Sequence, residues 1–374
     1  MDCLRLLFIR LSALGDIVHS LPAAHFIKNR LPEARLTWLV EAPGVELLKD
    51  NPAVDEIVVF PKGAWLSEIA NPAKWWSVAS RTGRFMTDLR ERRFDMSVDL
   101  QGLLKSAIPG YMSGARFRVG FAGTRECSSA LYSHRLDVGD YFADSVHVVE
   151  HNLSLARFAV DLFGGTAGGA DVESGAAPSD SFAEMKFPLP VTGEETVTRV
   201  DALLAGAGSE LAVLIPGTTW ASKIWPRERF LELSLLLEKR YGLTSLLVGG
   251  PSEKKTNEQI ARALRENDPR FPVLDLTGET SLTDLIEIYR RSRLVVGLDT
   301  GPLHLAAATE IPLVVGVFGS TPWRRNGPFG IRAHSVSLAL DCQPCFERTC
   351  PLGTLACLEE LSASRVMERI EELL

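Results

Sequence analysis

No stretch of this chain approaches the roughly 18 consecutive apolar residues of a membrane-spanning helix. Even the apolar run Leu4 to Ile9 is interrupted by Arg5 and closed by Arg10, with no small-residue cleavage site behind it. Neither a leader nor an anchor is expected. A basic excess is lacking as well: 40 Lys and Arg against 47 Asp and Glu leave a net charge of -7, the wrong sign for a general nucleic-acid binder. Cysteine is scarce, six in 374 residues. With neither leader nor anchor expected, the setting is expected to be cytoplasmic and reducing, where six thiols are not expected to form a disulfide framework and need another explanation. What is present is an ordinary globular composition, 46% hydrophobic and 23% charged, in a chain long enough for two cores.

Short apolar runs alternate with segments of helical period, the pattern of parallel strands joined by helical crossovers. In the first half, strands are expected at Leu4 to Ile9, Leu36 to Val40, Glu56 to Phe60, Met96 to Leu100 and Phe117 to Gly120, and helices at Asp16 to Arg30, Ala73 to Arg92 and Val146 to Phe163. Pro22 falls inside the first helix and predicts a kink or a late start. Residues 166–184, rich in Gly, Ala and Ser, read as a linker between a first domain at 1–165 and a second at 185–360. In the second half, strands are expected at Leu211 to Ile215, Thr244 to Val248, Val273 to Leu276, Leu294 to Val296 and Leu313 to Val317. Helices fill the intervals. Val366, Ile370 and Leu373 mark a last helix within 361–374, which packs on its own domain or crosses back to the first.

Two loops stand out. Ser12-Ala13-Leu14-Gly15-Asp16 follows the first apolar run and Asp299-Thr300-Gly301-Pro302-Leu303-His304 follows the fourth strand of the second half. Each is a strand, loop and helix start, the geometry that holds anionic ligands on backbone amides. Gly15 allows close approach of a ligand. Asp16 reads either as a helix N-cap or as a functional carboxylate, and His19 as a buried histidine or a second polar group. Thr218, Thr219 and Lys223 follow the first strand of the second half and offer two hydroxyls and a cation to phosphate oxygens, with Trp220 and Trp225 packed against core or ligand. Glu253, after the Gly249-Gly250 turn, suits ribose hydroxyls or is an early-helix carboxylate. Cys342, Cys345, Cys350 and Cys357 crowd within one segment. They have the donors for a structural zinc or iron, and redox-active or merely buried thiols fit the same spacing.

These residues together resemble the ADP-heptose:lipopolysaccharide heptosyltransferases, glycosyltransferase family 9. The matching stretches are Ser12 to His19, Asp99-Leu100-Gln101-Gly102-Leu103-Leu104-Lys105-Ser106-Ala107, Thr218 to Pro226, and Asp299 to His304. The resemblance implies an α/β chain of GT-B fold, two Rossmann-like domains with parallel sheets facing a central cleft, the first binding the acceptor and the second the nucleotide sugar. It implies that Asp16 is the general base of a single inverting displacement. Lys223, Thr300 and Gly301 would then hold the diphosphate, with Thr218, Thr219, Glu253, Asp299 and His304 also around the donor. The implied donor is ADP-L-glycero-D-manno-heptose and the implied acceptor the Kdo or first heptose of the lipopolysaccharide inner core, met by Ser12, Gly15, Lys105 and Arg125. No catalytic metal and no nucleic acid are implied, and the protein is expected at the inner face of the cytoplasmic membrane. The cysteine segment departs from the shared catalytic set. Rival expectations are a protein acceptor, a nucleotide-sugar 2-epimerase on the same architecture, and a nucleotide-sugar-binding module without turnover.

Overall fold

The computed structural model describes residues 3–63, 68, 71–165, 171–173 and 185–374. The expected linker at 166–184 lies outside the described residues apart from 171–173. The chain divides into two compact units, Met1–Pro190 and Val191–Leu374.

The first unit is built on seven parallel strands, β1 (Arg5–Ile9), β2 (Arg35–Glu41), β3 (Glu56–Phe60), β4 (Met96–Asp99), β5 (Phe117–Phe121), β6 (His134–Asp137) and β7 (Asp171–Glu173), in the order β3-β2-β1-β4-β5-β6-β7. β1 is covered on both faces, which is why Leu6-Leu7-Phe8-Ile9 reads as continuous rather than alternating apolar sequence. The order reverses between β1 and β4, so the loops after these two strands flank the switch point where open α/β sheets take their ligands.

The second unit repeats the scheme with β8 (Leu211–Ile215), β9 (Thr244–Leu247), β10 (Val273–Asp275), β11 (Leu294–Leu298), β12 (Leu313–Val317) and β13 (Ala333–Val336), ordered β10-β9-β8-β11-β12-β13 and all parallel. Its switch point lies between β8 and β11. The last helix, Ala363–Glu371, packs through Val366, Met367 and Ile370 against the helix Arg227–Tyr241 of the same unit. Trp225 is core: its indole N–H donates to the Leu361 carbonyl at 2.8 Å, and its ring meets Phe230 edge-on. Among the described residues no helix is long and apolar enough to cross a membrane.

The helix after β1 runs Leu14–Arg30 and keeps Pro22 inside it, starting before Asp16 rather than late. The unread elements are polar or broken. β6 and β13 are short and carry His134, Arg135 and His334, while the helix Leu104–Met112 contains Pro109 and Gly110, residues that argue against a helix in isolation.

Within the first unit, Gly120 of β5 lies under Tyr132, and a β-carbon there would sit 2.5 Å from the ring Cζ. The Tyr132 hydroxyl in turn donates to buried Asp99 at 2.8 Å. Gly120→Ala is therefore expected to lower stability by about 1–3 kcal/mol through overpacking, read as a lower Tm in thermal unfolding. An unchanged Tm would show that the ring moves aside freely.

Candidate functional site

In the first unit the chain leaves β1 with Arg10, turns through Ser12 and Ala13, and enters the helix with Asp16 in its first turn. Asp16 is not the N-cap. That position is Ala13, whose amide donates to Asp16 Oδ2 at 3.0 Å, while the Arg10 guanidinium holds Asp16 Oδ1 at 2.8 Å. Arg10 is buried and also donates to the Leu100 carbonyl. Burial is the largest single influence and opposes its charge, but the Asp16 carboxylate together with Tyr141 and Asp99 outweighs it, and the net shift is upward. The Asp16 side chain remains 42% exposed, and each of its oxygens keeps a second lone pair.

The loop after β4 fixes this turn from the other side of the switch point. Gln101 Oε1 accepts the amides of Leu11 and Ser12, at 2.9 and 3.3 Å, and Gln101 Nε2 donates to the Ser12 carbonyl at 2.9 Å. Asp99 beneath it accepts the amides of Gln101 and Gly102. Burial raises the Asp99 carboxyl in spite of its Tyr132 hydrogen bond. Lys105, at the start of the next helix, donates to Ser12 Oγ at 3.2 Å and pairs with Glu41 at 3.3 Å, and Lys62 pairs with the other Glu41 oxygen. Arg125 is exposed and stacks over Phe142 at 4.5 Å, while its neighbour Glu126 accepts the Leu104 amide at 3.0 Å. Gly15 is buried in the helix. His19 is buried, its ring edge-on to His147.

In the second unit Asp299, at the end of β11, gathers three partners. Lys223 donates to Asp299 Oδ2 at 2.6 Å, the Thr321 hydroxyl to the same oxygen at 2.7 Å, and His304 Nε2 lies 3.2 Å from Oδ1. Burial alone would push the Asp299 carboxyl up; the His304 hydrogen bond and the Lys223 charge outweigh it and hold it well below its usual range. The Lys223 ammonium also lies over the Trp220 ring at 4.3 Å, with Arg348 near the same ring. Thr300 is the N-cap of the helix Gly301–Ala308, and its buried hydroxyl has no hydrogen-bond partner among the described residues. Thr218 is half-buried and Thr219 exposed on the loop after β8. Glu253 lies against Gly217 of that loop, where a β-carbon would collide with its side chain, so its carboxylate sits beside the Thr218 to Lys223 segment.

The glycosyltransferase family 9 (heptosyltransferase) model matches residues 82–356. The chain belongs to glycosyltransferase family 9. It is a heptosyl-transferring glycosyltransferase. It is 27% identical over 354 residues to lipopolysaccharide heptosyltransferase 1 of Pseudomonas aeruginosa, covering 93% of this chain and 87% of that protein. The fold is similar to that of Escherichia coli ADP-heptose lipopolysaccharide heptosyltransferase II, with a TM-score of 0.72 at 20% identity over 99% of this chain and 98% of that one. It is equally similar to E. coli heptosyltransferase WaaC with ADP, with a TM-score of 0.72 at 22% identity over 99% and 100%. The two parallel sheets are thus the two Rossmann-like halves of a GT-B fold.

Three polar groups of this family 9 chain escaped sequence reading. Arg10 looked like the end of an apolar run; the clue was a cation placed where the run meets a helix start. Glu41 closes β2, where nothing in the pattern marks it. Thr321 follows β12 in Gly319-Ser320-Thr321, the same strand-to-loop signal as the loops that were read.

The four cysteines line one small cavity together with Ser222 and Ser320. Burial and the neighbouring thiols raise the Cys357 pKa, whereas backbone amides from Leu355 to Leu352 lower that of Cys350. The donor set is that of a zinc or iron site. Yet among the described residues no three metal-ligating side chains are arranged to hold one ion. The segment is tied to the Lys223 loop: the Ser222 hydroxyl donates to the Glu347 carbonyl, the Ser222 amide to Arg348, and the Phe346 amide to Ser320.

Proposed function

We propose that the chain transfers heptose from ADP-L-glycero-D-manno-heptose to the inner core of lipopolysaccharide, onto Kdo or the first heptose, with Asp16 as general base. The observation that carries this reading is the Asp16 carboxylate itself. It stands at the switch point of the first sheet, oriented by Arg10 and the Ala13 amide, with lone pairs left for a substrate hydroxyl. The Pseudomonas relative is called a lipopolysaccharide heptosyltransferase and the WaaC structure holds ADP, which supports the acceptor and donor classes.

In this reading the first unit presents the acceptor. Lys105 and Arg125 meet its acidic groups, and Ser12 and Gly15 shape the turn beneath it. Asp16 takes the proton from the acceptor hydroxyl as that oxygen bonds to the anomeric carbon and the bond from that carbon to the ADP oxygen breaks. General-base help of this kind is worth about 10²- to 10⁴-fold. The second unit holds ADP: Lys223 keeps two of its three N–H donors for the diphosphate while the third donates to Asp299, and the Thr300 hydroxyl and the Gly301 amide donate to phosphate oxygens at the positive end of their helix. Asp299 and His304 position Lys223, and Glu253 accepts from the ribose. Thr218 and Thr219 add hydroxyls.

Because Lys223 and the helix end supply the positive charge, a chelator is expected to leave initial rates unchanged. A loss of rate restored by magnesium would contradict this. The cysteine segment has two readings, a structural zinc or iron on Cys342, Cys345, Cys350 and Cys357 or packed thiols; about one metal equivalent per chain in protein purified without chelator would establish the first, and metal-free protein of full activity the second.

The test of the function is an acceptor panel with ADP-heptose: Kdo-lipid A, heptosyl-Kdo-lipid A and a protein acceptor. Product on either glycolipid is expected and names the step. Product on protein alone moves the activity to another acceptor, and tight donor binding without product would leave a binding module. The expected station is the inner face of the cytoplasmic membrane.

A further inference from the structure

We infer that the face of the first unit formed by the helices Trp75–Glu91 and Leu104–Met112 seats on a bilayer surface carrying anionic lipid. The inference deepens the glycolipid reading above and rests on it for its purpose, though not for its test.

The observation is an unusual exposure of large apolar side chains on two helices that pack against each other. Trp76 is 87% exposed and its neighbour Trp75 58%. On the second helix Leu104, Ile108, Tyr111 and Met112 are all more than a third exposed. Their spacing of four, three and one places them on one helical face. Single exposed apolar residues are ordinary on a protein surface, whereas adjoining ones mark a surface that meets something.

Charge and side-chain type select the bilayer. The chain as a whole carries -7, yet the stretch from Leu104 to Arg125 holds Arg116, Arg118 and Arg125 besides Lys105, which pairs with Glu41, and no carboxylate of its own, Glu126 just beyond it accepting the Leu104 amide. Lys74 and Arg84 stand exposed on and beside the tryptophan helix, with Asp88 and Glu91 further along it. Arg118 stacks over Tyr111 at 5.2 Å, so a cation rims the apolar face itself. Tryptophan beside Lys and Arg is the composition of a headgroup-level anchor, the indole body in the acyl boundary and the N–H in the polar layer. A local basic field on an acidic protein also draws the face toward an anionic surface.

Topology gives the face its use. The two helices join β3 to β4 and β4 to β5, all parallel, so both begin at the carboxyl edge of the sheet. Trp75 and Trp76, Leu104 and Lys105 therefore lie at the edge that carries Ser12 and Asp16. A protein seated there meets an acceptor whose lipid stays in the bilayer, with the sugar presented to the first unit.

The experiment is sedimentation with mixed phosphatidylethanolamine and phosphatidylglycerol vesicles, free of acceptor, against phosphatidylcholine vesicles. Wild type is expected to bind the anionic vesicles, and less so at high salt. The double variant Trp75→Ser/Trp76→Ser is expected to bind about tenfold more weakly, and Arg84→Glu to lose the preference for anionic lipid. With a deacylated, soluble acceptor the tryptophan variant should turn over like wild type; with acceptor in vesicles it should fall behind. Absence of binding by wild type, or equal binding by the variants, overturns the proposal. So does a dimer in light scattering that the tryptophan variant dissolves, which would give the face to a second copy. Vesicle binding without any transfer would instead count against the glycolipid activity, so the two failures are distinguishable.

Discussion

Replacing Asp16 with asparagine is expected to lower turnover about 10²- to 10⁴-fold while ADP-heptose still binds. The amide keeps the size of the carboxylate and an oxygen for Arg10, but it cannot accept the acceptor proton and offers Ala13 no second oxygen. The loss should fall on kcat rather than on donor affinity, because the Asp16 carboxylate belongs to the first unit and the diphosphate is read onto the second. Thermal unfolding is the control: Arg10 is buried and raised by Asp16, so Asp16→Ala, which removes both oxygens, should unfold more readily than Asp16→Asn. If Asp16→Asn turns over within a few-fold of wild type, the base lies elsewhere.

Lys223→Ala is expected to reduce kcat/KM by about 10²- to 10³-fold, the scale of losing one fixed donor to developing negative charge, and to weaken ADP binding in calorimetry. It also leaves Asp299 without its cation. Both side chains are largely buried, at 14% and 10% exposure, so a stability loss of up to about 3 kcal/mol accompanies it. The pH dependence has a definite sign. The folded Asp299 carboxyl is held below its unfolded value, near 3.9, so its contribution is present above that value and is lost as pH falls through the lower folded one. Removing Lys223 shrinks that contribution, and the variant should unfold at higher pH on the acid side than wild type. Unaltered ADP affinity together with an unaltered acid limb would remove Lys223 from the donor site.

The architecture was legible because buried parallel strands leave continuous apolar runs. Leu211-Ala-Val-Leu-Ile215 and Leu313-Val-Val-Gly-Val317 are strands at the residues where the sequence put them. β13 was not legible, since Ala333-His-Ser-Val336 has one fully buried residue and an edge position imposes no apolar pattern. The first-helix boundary was missed because Leu14 and Gly15 carry no start signal while Asp16 does. Asp at the third position bonds back to the N-cap amide, and in sequence that is hard to tell from an N-cap. Among the site residues, Lys223, Asp299 and His304 were read as neighbours of a ligand and prove to be neighbours of one another. Ser12 and Lys105, 93 positions apart, meet directly, a pairing that only the β1–β4 adjacency creates. Trp225 illustrates the opposite limit: the pattern left core and ligand open, and its bond to Leu361 makes it core.

Asp16 acting as a base in one displacement fixes the stereochemistry of the product. The anomeric configuration of the newly formed heptosidic bond, read by NMR on the isolated product, is therefore the most direct measurement. Inversion relative to ADP-heptose is the predicted result. Retention would require an enzyme nucleophile or attack from the departing side, and would contradict the role assigned to Asp16.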